Sequence, residues 1–375
     1  MYITVIDKNR TKKTTDDIDI LFGADIPTEP EGIVRTLTYN IQESQITTDM
    51  MSSATYKSYT DLVKLNIDAY SPKGHYKQFK IPKKTHGYRT ITAPDDLLKE
   101  HMKIVSNILQ TGFKVLTHDS AWAYTKGRDV VGAMQEHQRN ESRWFLKLDL
   151  KSFFDSCSPE FIRGQLLKLY PFAIYNSDEV DVVTPLSEYA CYNGGLPQGT
   201  PLSPIITNLI MVPIDYEINK ALYGLTSDKK IYKQRYIYTR YADDIIISAK
   251  HDFDYGIIIE CIENILKSTP LKINKEKTRY GSSSGRNWNL GIMFNKDNEL
   301  TIGYREKQKL KAAIHSFIIN TREFTLTDTR QLLGRLNWLH NVQPDYYTHL
   351  IKYCKDKYEV DIITALTNWI KLLTN

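Results

Sequence analysis

Residues 234–249, QRYIYTRYADDIIISA, decide how the rest of the chain is read. Aromatic and β-branched residues crowd both sides of Asp243-Asp244, so the pattern predicts a strand, a two-residue acidic turn and a second strand. Ile245, Ile246 and Ile247 make that second strand apolar on both faces, the mark of a buried one. Residues 144–149, WFLKLD, read as another short buried strand, ending at Asp149 and followed by Phe153-Phe154. Carboxylates held at buried strand ends repel one another unless they share a divalent cation. Two Mg²⁺ ions, with Mn²⁺ as an alternative, would suit phosphoryl transfer at such a site. The Asp-Asp dipeptide by itself equally suits an ordinary hairpin turn, and Asp149 a cap.

Working outward, residues 196–212 (LPQGTPLSPIITNLIMV) place Gly and Pro before apolar residues at helical spacing, predicting a loop that enters a buried helix after Ser203. Residues 78–93 alternate around His86-Gly87 as a basic two-stranded hairpin. Pro94 stops it, and Asp95 is placed to cap a helix with an apolar face of Leu97, Leu98, Met102, Val105 and Leu109. Residues 289–294 and 299–303 predict a further hairpin. From Tyr304 the spacing turns helical, through Leu310, Ala313, Ile314 and Phe317 and again through Leu332, Leu333, Leu336, Trp338 and Leu339. Before the basic hairpin, Leu62, Leu65 and Ile67 point to a helix within an N-terminal extension.

The 375-residue chain is 41% hydrophobic and 25% charged, a globular composition, and no apolar run approaches the roughly 18 residues that would span a bilayer. Residues 1–20 show no secretory signal pattern, so the expected location is cytoplasmic. Cys157, Cys191, Cys261 and Cys354 form no CxxC or Cys/His cluster, which predicts buried thiols rather than disulfides or structural zinc. Net charge is only +5, but residues 1–70 hold 7 basic and 11 acidic side chains whereas residues 71–140 hold 12 and 6. A phosphate-rich partner would be drawn to the second segment. Tyrosine is abundant, and rings among basic residues, as in residues 232–236 (YKQRY), are suited to stacking on bases.

Taken together, the motifs resemble those of reverse transcriptases. Tyr241-Ala242-Asp243-Asp244 resembles the YxDD box, residues 149–154 (DLKSFF) the first palm motif, and residues 196–204 (LPQGTPLSP) the LPQG…SP motif, in the family's order. More distantly, residues 89–94 (RTITAP) with Leu98-Lys99 are similar to the fingers motif. Residues 271–278 (LKINKEKT) are similar to the segment after the YxDD hairpin, and residues 289–292 (NLGI) to the primer grip. The resemblance covers about residues 76–350 and is nearest to bacterial retron and group II intron-like enzymes. Two elements depart from the retron pattern: residues 132–137 (GAMQEH) stand where Asn-Ala-x-x-His is usual, and Asn289-Leu290-Gly291 near the usual Val-Thr-Gly.

The resemblance implies an α+β right-hand polymerase: an extension over 1–70, fingers over 71–140 with part of 157–195, a palm over 141–156 and 196–303, and a helical thumb over 304–375. Asp149 and Asp243 would be the principal metal ligands, Asp244 a further one, and the Leu150 carbonyl would complete the set. Phe154 would exclude a ribose 2′-hydroxyl. Arg89 and Lys84 would hold the triphosphate, Arg by its planar fork. Gln198 would lie near the nascent base pair, and Gly199 would let the backbone approach the nucleic acid. Lys277 would be the general acid for pyrophosphate departure. Arg128 and Tyr241 would contact nucleic acid, while His137 is expected to be structural. The implied activity is RNA-directed DNA synthesis from dNTPs on a structured non-coding RNA, giving DNA or an RNA–DNA product, in anti-phage defence and with an effector protein as a further partner. Template-independent or protein-primed synthesis, and a catalytically silent RNA-binding scaffold, are the competing readings.

Overall fold

The computed structural model describes residues 54–67, 71–82, 87–113, 117–227, 234–283 and 289–374. Lys84, His86, Tyr232 and Lys233, as well as residues 1–53 of the extension, lie outside the described residues. A helix, α1 (Ala54–Leu65), precedes the basic hairpin, which is β1 (Tyr76–Pro82) paired antiparallel with β2 (Tyr88–Pro94). Asp95 accepts the Leu98 amide at 2.9 Å and so starts α2 (Asp96–Gly112) as expected. Leu98, Met102, Val105 and Leu109 are buried, but Leu97 is 63% exposed, because it falls on the opposite side of the first turn.

The central sheet has the strand order β4–β5–β3–β6, all antiparallel, with β3 Trp144–Asp149, β4 Ile237–Tyr241, β5 Asp244–Ala249 and β6 Arg279–Ser282. Sequence reading missed β6, a four-residue edge strand whose RYGS carries no apolar alternation. The β4–β5 turn is Ala242-Asp243 rather than Asp243-Asp244. Ala242 takes the left-handed conformation (φ 56°) and Asp244 already pairs with Tyr241 as the first residue of β5. This shift of one residue fixes which carboxylate stands on which face.

Successive side chains of the sheet enter two different cores. Leu146, Leu148, Ile245 and Ile247 share one core with Ile162 of α4 (Pro159–Leu166), Phe172 of α5 (Phe172–Tyr175), Leu186 of α6 (Val183–Ala190), Ile206, Leu209 and Ile210 of α7 (Ser203–Ser227), and Ile258 and Ile262 of α8 (Tyr255–Leu266). Phe145 and Ile246 instead join Met134 of α3 (Val130–Arg139) and the C-terminal helices. These are α9 (Tyr304–Ile319), α10 (Leu326–Val342), α11 (Pro344–Tyr358) and α12 (Ile362–Thr374), reached through the short hairpin of β7 (Met293–Phe294) and β8 (Leu300–Thr301). The expected strand over 289–294 is mostly a tight turn. Asn289 and Ile292 exchange both backbone hydrogen bonds at 2.9 Å around Leu290 (φ 53°) and Gly291 (φ 83°). Cys157, Cys191 and Cys354 are buried and Cys261 half-buried, all as free thiols. Among the described residues no helix is long and apolar enough to cross a membrane.

Candidate active site

Asp149 and Asp244 stand opposite each other as register partners at one end of the β3–β5 ladder. Residues of like charge in that position destabilise a sheet, so something must compensate. Asp243 sits beside them in the turn, its carbonyl accepting the Leu150 amide at 3.0 Å. The segment after α8 closes the arrangement from the other side. The Asn274 amide donates to the Asp149 carbonyl at 2.7 Å, and Leu150 bridges to Ile273.

Two lysines supply the compensation. Lys277 Nζ lies 2.8 Å from Asp149 Oδ1, with Asn274 Nδ2 on Oδ2 at 3.2 Å. Lys147 Nζ lies 3.1 Å from Asp244 Oδ1. The bond to Asp149, together with the three carboxylate charges, holds the Lys277 ammonium above the usual lysine range. Burial, and next the charges of Asp244 and Asp149, push the Asp243 carboxyl above the usual carboxylate range. Sequence reading missed Lys147 and Asn274. The signal for the first was a lysine inside a buried strand, two residues before an aspartate. Asn274 carried none.

Among the described residues no three His, Cys, Asp or Glu side chains are drawn together as a ready metal-ligand cluster. The donor chemistry nevertheless fits a hard divalent cation: three carboxylates at adjacent strand ends, two of them neutralised by ammonium groups. Lys277 is mostly exposed, at 62%, and has solvent to withdraw into.

The LPQG segment packs on the same end of the sheet. The Leu196 amide donates to the Phe154 carbonyl at 2.9 Å, and Phe154 is half-buried, edge-on to the buried Phe153 at 5.7 Å. Gln198 presents its backbone carbonyl to the Thr92 amide of β2 at 2.9 Å, which ties the basic hairpin to the LPQG segment. Gly199 has φ 116°, and a Cβ there would lie 2.8 Å from Ile91 Cγ2. The close approach that Gly199 permits in this structure is the one made to strand β2. Arg89 is exposed on β2, and Tyr241 is half-buried opposite Asp244.

Arg128 differs from the expectation of a template contact. Its Nη1 donates to the carbonyls of His118, Asp119 and Ala121 at 2.8–3.0 Å, and Nη2 pairs with Asp119 at 3.1 Å. An arginine so engaged organises its own loop. His137 is structural as expected: fully buried, it meets Ser248 Oγ at 2.6 Å and Thr239 Oγ1 at 2.8 Å, and burial pushes it down to about 3, so it stays neutral.

Beneath the turn lies a network that sequence reading did not find. Arg240 forms a two-pronged pair with Asp215 of α7 (2.8 and 2.7 Å), Tyr238 donates to the same carboxylate at 2.6 Å, and both charged partners are fully buried. The alternation of Tyr238 and Arg240 along β4 points both at α7, whereas Thr239 between them meets His137.

An antiparallel sheet carrying three strand-end aspartates, a basic hairpin and a helical C-terminal unit defines the right-hand polymerase class. Residues 81–313 match the family described as Reverse transcriptase (RNA-dependent DNA polymerase), and the chain belongs to it. Within that family it is similar to bacterial retron enzymes. It is 28% identical over 293 residues to the Retron Ec83 reverse transcriptase of Escherichia coli, covering 75% of this chain and 87% of that one. It is 27% identical over 312 residues to the Retron Ec73 reverse transcriptase of the same species, covering 80% and 90%. Among solved structures, apo telomerase from Candida tropicalis matches with TM-score 0.45 and 14% identity over 78% of this chain and 63% of that one. The protein is an RNA-directed DNA polymerase.

Proposed function

We propose that the chain copies a structured non-coding RNA into DNA at the Asp149, Asp243 and Asp244 site, in a retron-like system whose setting is anti-phage defence. The observation that carries the catalytic part is the pairing of Asp149 with Asp244, with Asp243 in the adjoining turn. The template and the setting rest on the likeness to retron enzymes. In this reading β1–β2 and α2 belong to the fingers, the four-stranded sheet with α7 and α8 is the palm, and α9 to α12 form the thumb.

Asp149 and Asp243, helped by Asp244 and the Leu150 carbonyl, would hold two Mg²⁺ ions. Such ions activate the attacking 3′-oxygen and stabilise the departing pyrophosphate. Arg89, with Lys84, would bind the triphosphate, and Gln198 would border the new base pair. Phe154 would stand against the sugar and reject a 2′-hydroxyl. Lys277 would leave Asp149 and deliver its proton to the departing pyrophosphate, for which it is charged throughout the neutral range.

The test is DNA synthesis on an RNA template annealed to a DNA primer, with Mg²⁺ and dNTPs. Asp243→Asn is expected to lower the rate about 10³-fold, several kcal/mol of lost transition-state stabilisation, with RNA affinity unchanged. A normal rate would overturn the site. Sequencing the RNA and DNA that copurify from the native locus tests the template: DNA unrelated to any bound RNA would overturn it. Phage plaque counts with and without Asp243→Asn test the setting, and equal counts would overturn it.

A further inference from the structure

Residues 118–128, before α3, are tied to β4, to α7 and to one another next to one exposed aromatic residue, Tyr124. Ala121 forms a parallel bridge with Arg240, the Arg240 amide donates to the Ser120 carbonyl at 2.6 Å, and the Trp122 amide donates to the Arg240 carbonyl at 2.8 Å. Arg128 gathers three carbonyls of the same loop, and its guanidinium lies 5.6 Å from the Trp122 ring centroid. Asn208 of α7 donates to the Ala123 carbonyl at 2.9 Å, and Ala121 and Ala123 are buried. Tyr124 follows directly, 45% exposed and in the left-handed conformation (φ 60°).

A tyrosine in that backbone region is strained, and such strain persists where surrounding structure over-determines it, often at functional sites. Nothing in the apolar core calls for this ring, which belongs to neither hydrophobic cluster. The parallel bridge to Arg240 runs the loop alongside β4 two residues before the Ala242-Asp243 turn, and the phenol feels the charges of Asp243, Arg89 and Arg240. Burial, then the Asp243 charge, keeps it protonated and so a hydrogen-bond donor.

Resting on the site proposed above, we propose that Tyr124 is a substrate-contacting residue whose hydroxyl donates to the incoming dNTP beside the Ala242-Asp243 turn. The Arg128, Asn208 and Arg240 bonds hold the loop so that Tyr124 stands at the turn before substrate arrives, which cuts the ordering cost of binding. This also accounts for an arginine that sequence reading had placed on the template.

The experiment uses the full chain on an RNA template with a DNA primer. Tyr124→Phe is expected to raise KM for the templated dNTP about tenfold, the usual cost of one hydrogen bond to a charged group, with kcat within about twofold. In a complex stalled by a dideoxy-terminated primer, affinity for that dNTP should fall by the same factor, with the melting temperature unchanged. Tyr124→Ala should lose more of the affinity. Unchanged KM and stalled-complex affinity in Tyr124→Phe, with Asp243→Asn inactive, would overturn the proposal and leave the aspartate site standing. An active Asp243→Asn would remove the site and the proposal with it.

Discussion

Two sets of carboxylate–ammonium or carboxylate–guanidinium pairs flank the Ala242-Asp243 turn, and they are built for opposite ends. Asp215 and Arg240 are fully buried, paired by both prongs of the guanidinium and further tied to Tyr238 and Asn208. Asp149 and Asp244 are met by one ammonium each, and Lys277 is 62% exposed. In the first set no partner can leave without stranding a buried charge. In the second, a lysine that moves away re-enters water at little cost, and the carboxylate is free for another cation. The buried pair fixes where β4 lies on α7, and so where the turn stands; the exposed Lys277 keeps the charge on Asp149 exchangeable.

The contrast can be broken most severely at Asp215. Asp215→Ala strands the Arg240 guanidinium and is expected to cost about 3–5 kcal/mol, read as a fall in the denaturant midpoint at constant slope. A loss below about 1 kcal/mol would show that the network is not the anchor. Lys277→Met should do the reverse, leaving the midpoint nearly unchanged while lowering single-turnover DNA synthesis about 100-fold, the low end for a lost proton donor. A normal rate would leave Lys277 as a mere counter-ion.

The smallest effect sharpens the comparison through pH. The raised Asp243 carboxyl ionises less readily folded than unfolded, so in metal-free protein its ionisation costs stability above the folded value. That cost disappears as pH falls through the folded value and below the unfolded one near ~3.9. With a chelator at about pH 7, Asp243→Asn should therefore melt about 2 °C higher than the native protein, the gap closing toward about pH 4. A gap that is constant with pH would mean that folding does not raise the Asp243 carboxyl.

Much of the fold was legible along the chain. The Asp95 cap, the buried WFLKLD strand, the helix after Ser203 and the helical spacing beyond Tyr304 are local signals, written in side-chain period and turn chemistry. So were the three aspartates, because their spacing around apolar strands and the ordered motifs resembling reverse transcriptases could be read without coordinates. The turn was misplaced by one residue, since Ala242 gives no sign of the left-handed conformation it adopts.

What the tertiary structure alone decided were pairings between residues far apart in sequence. Lys147 with Asp244, Lys277 and Asn274 with Asp149, Arg240 with Asp215, Gly199 against Ile91, and Arg128 on its own loop all depend on which strands become neighbours and in what register. A charged residue has the same letter whether it faces solvent, substrate or a buried partner. Local periodicity sets the face on which a side chain emerges, but the energy of a charge depends on what stands within a few ångströms of it and on how much water remains, and both are properties of the packed chain.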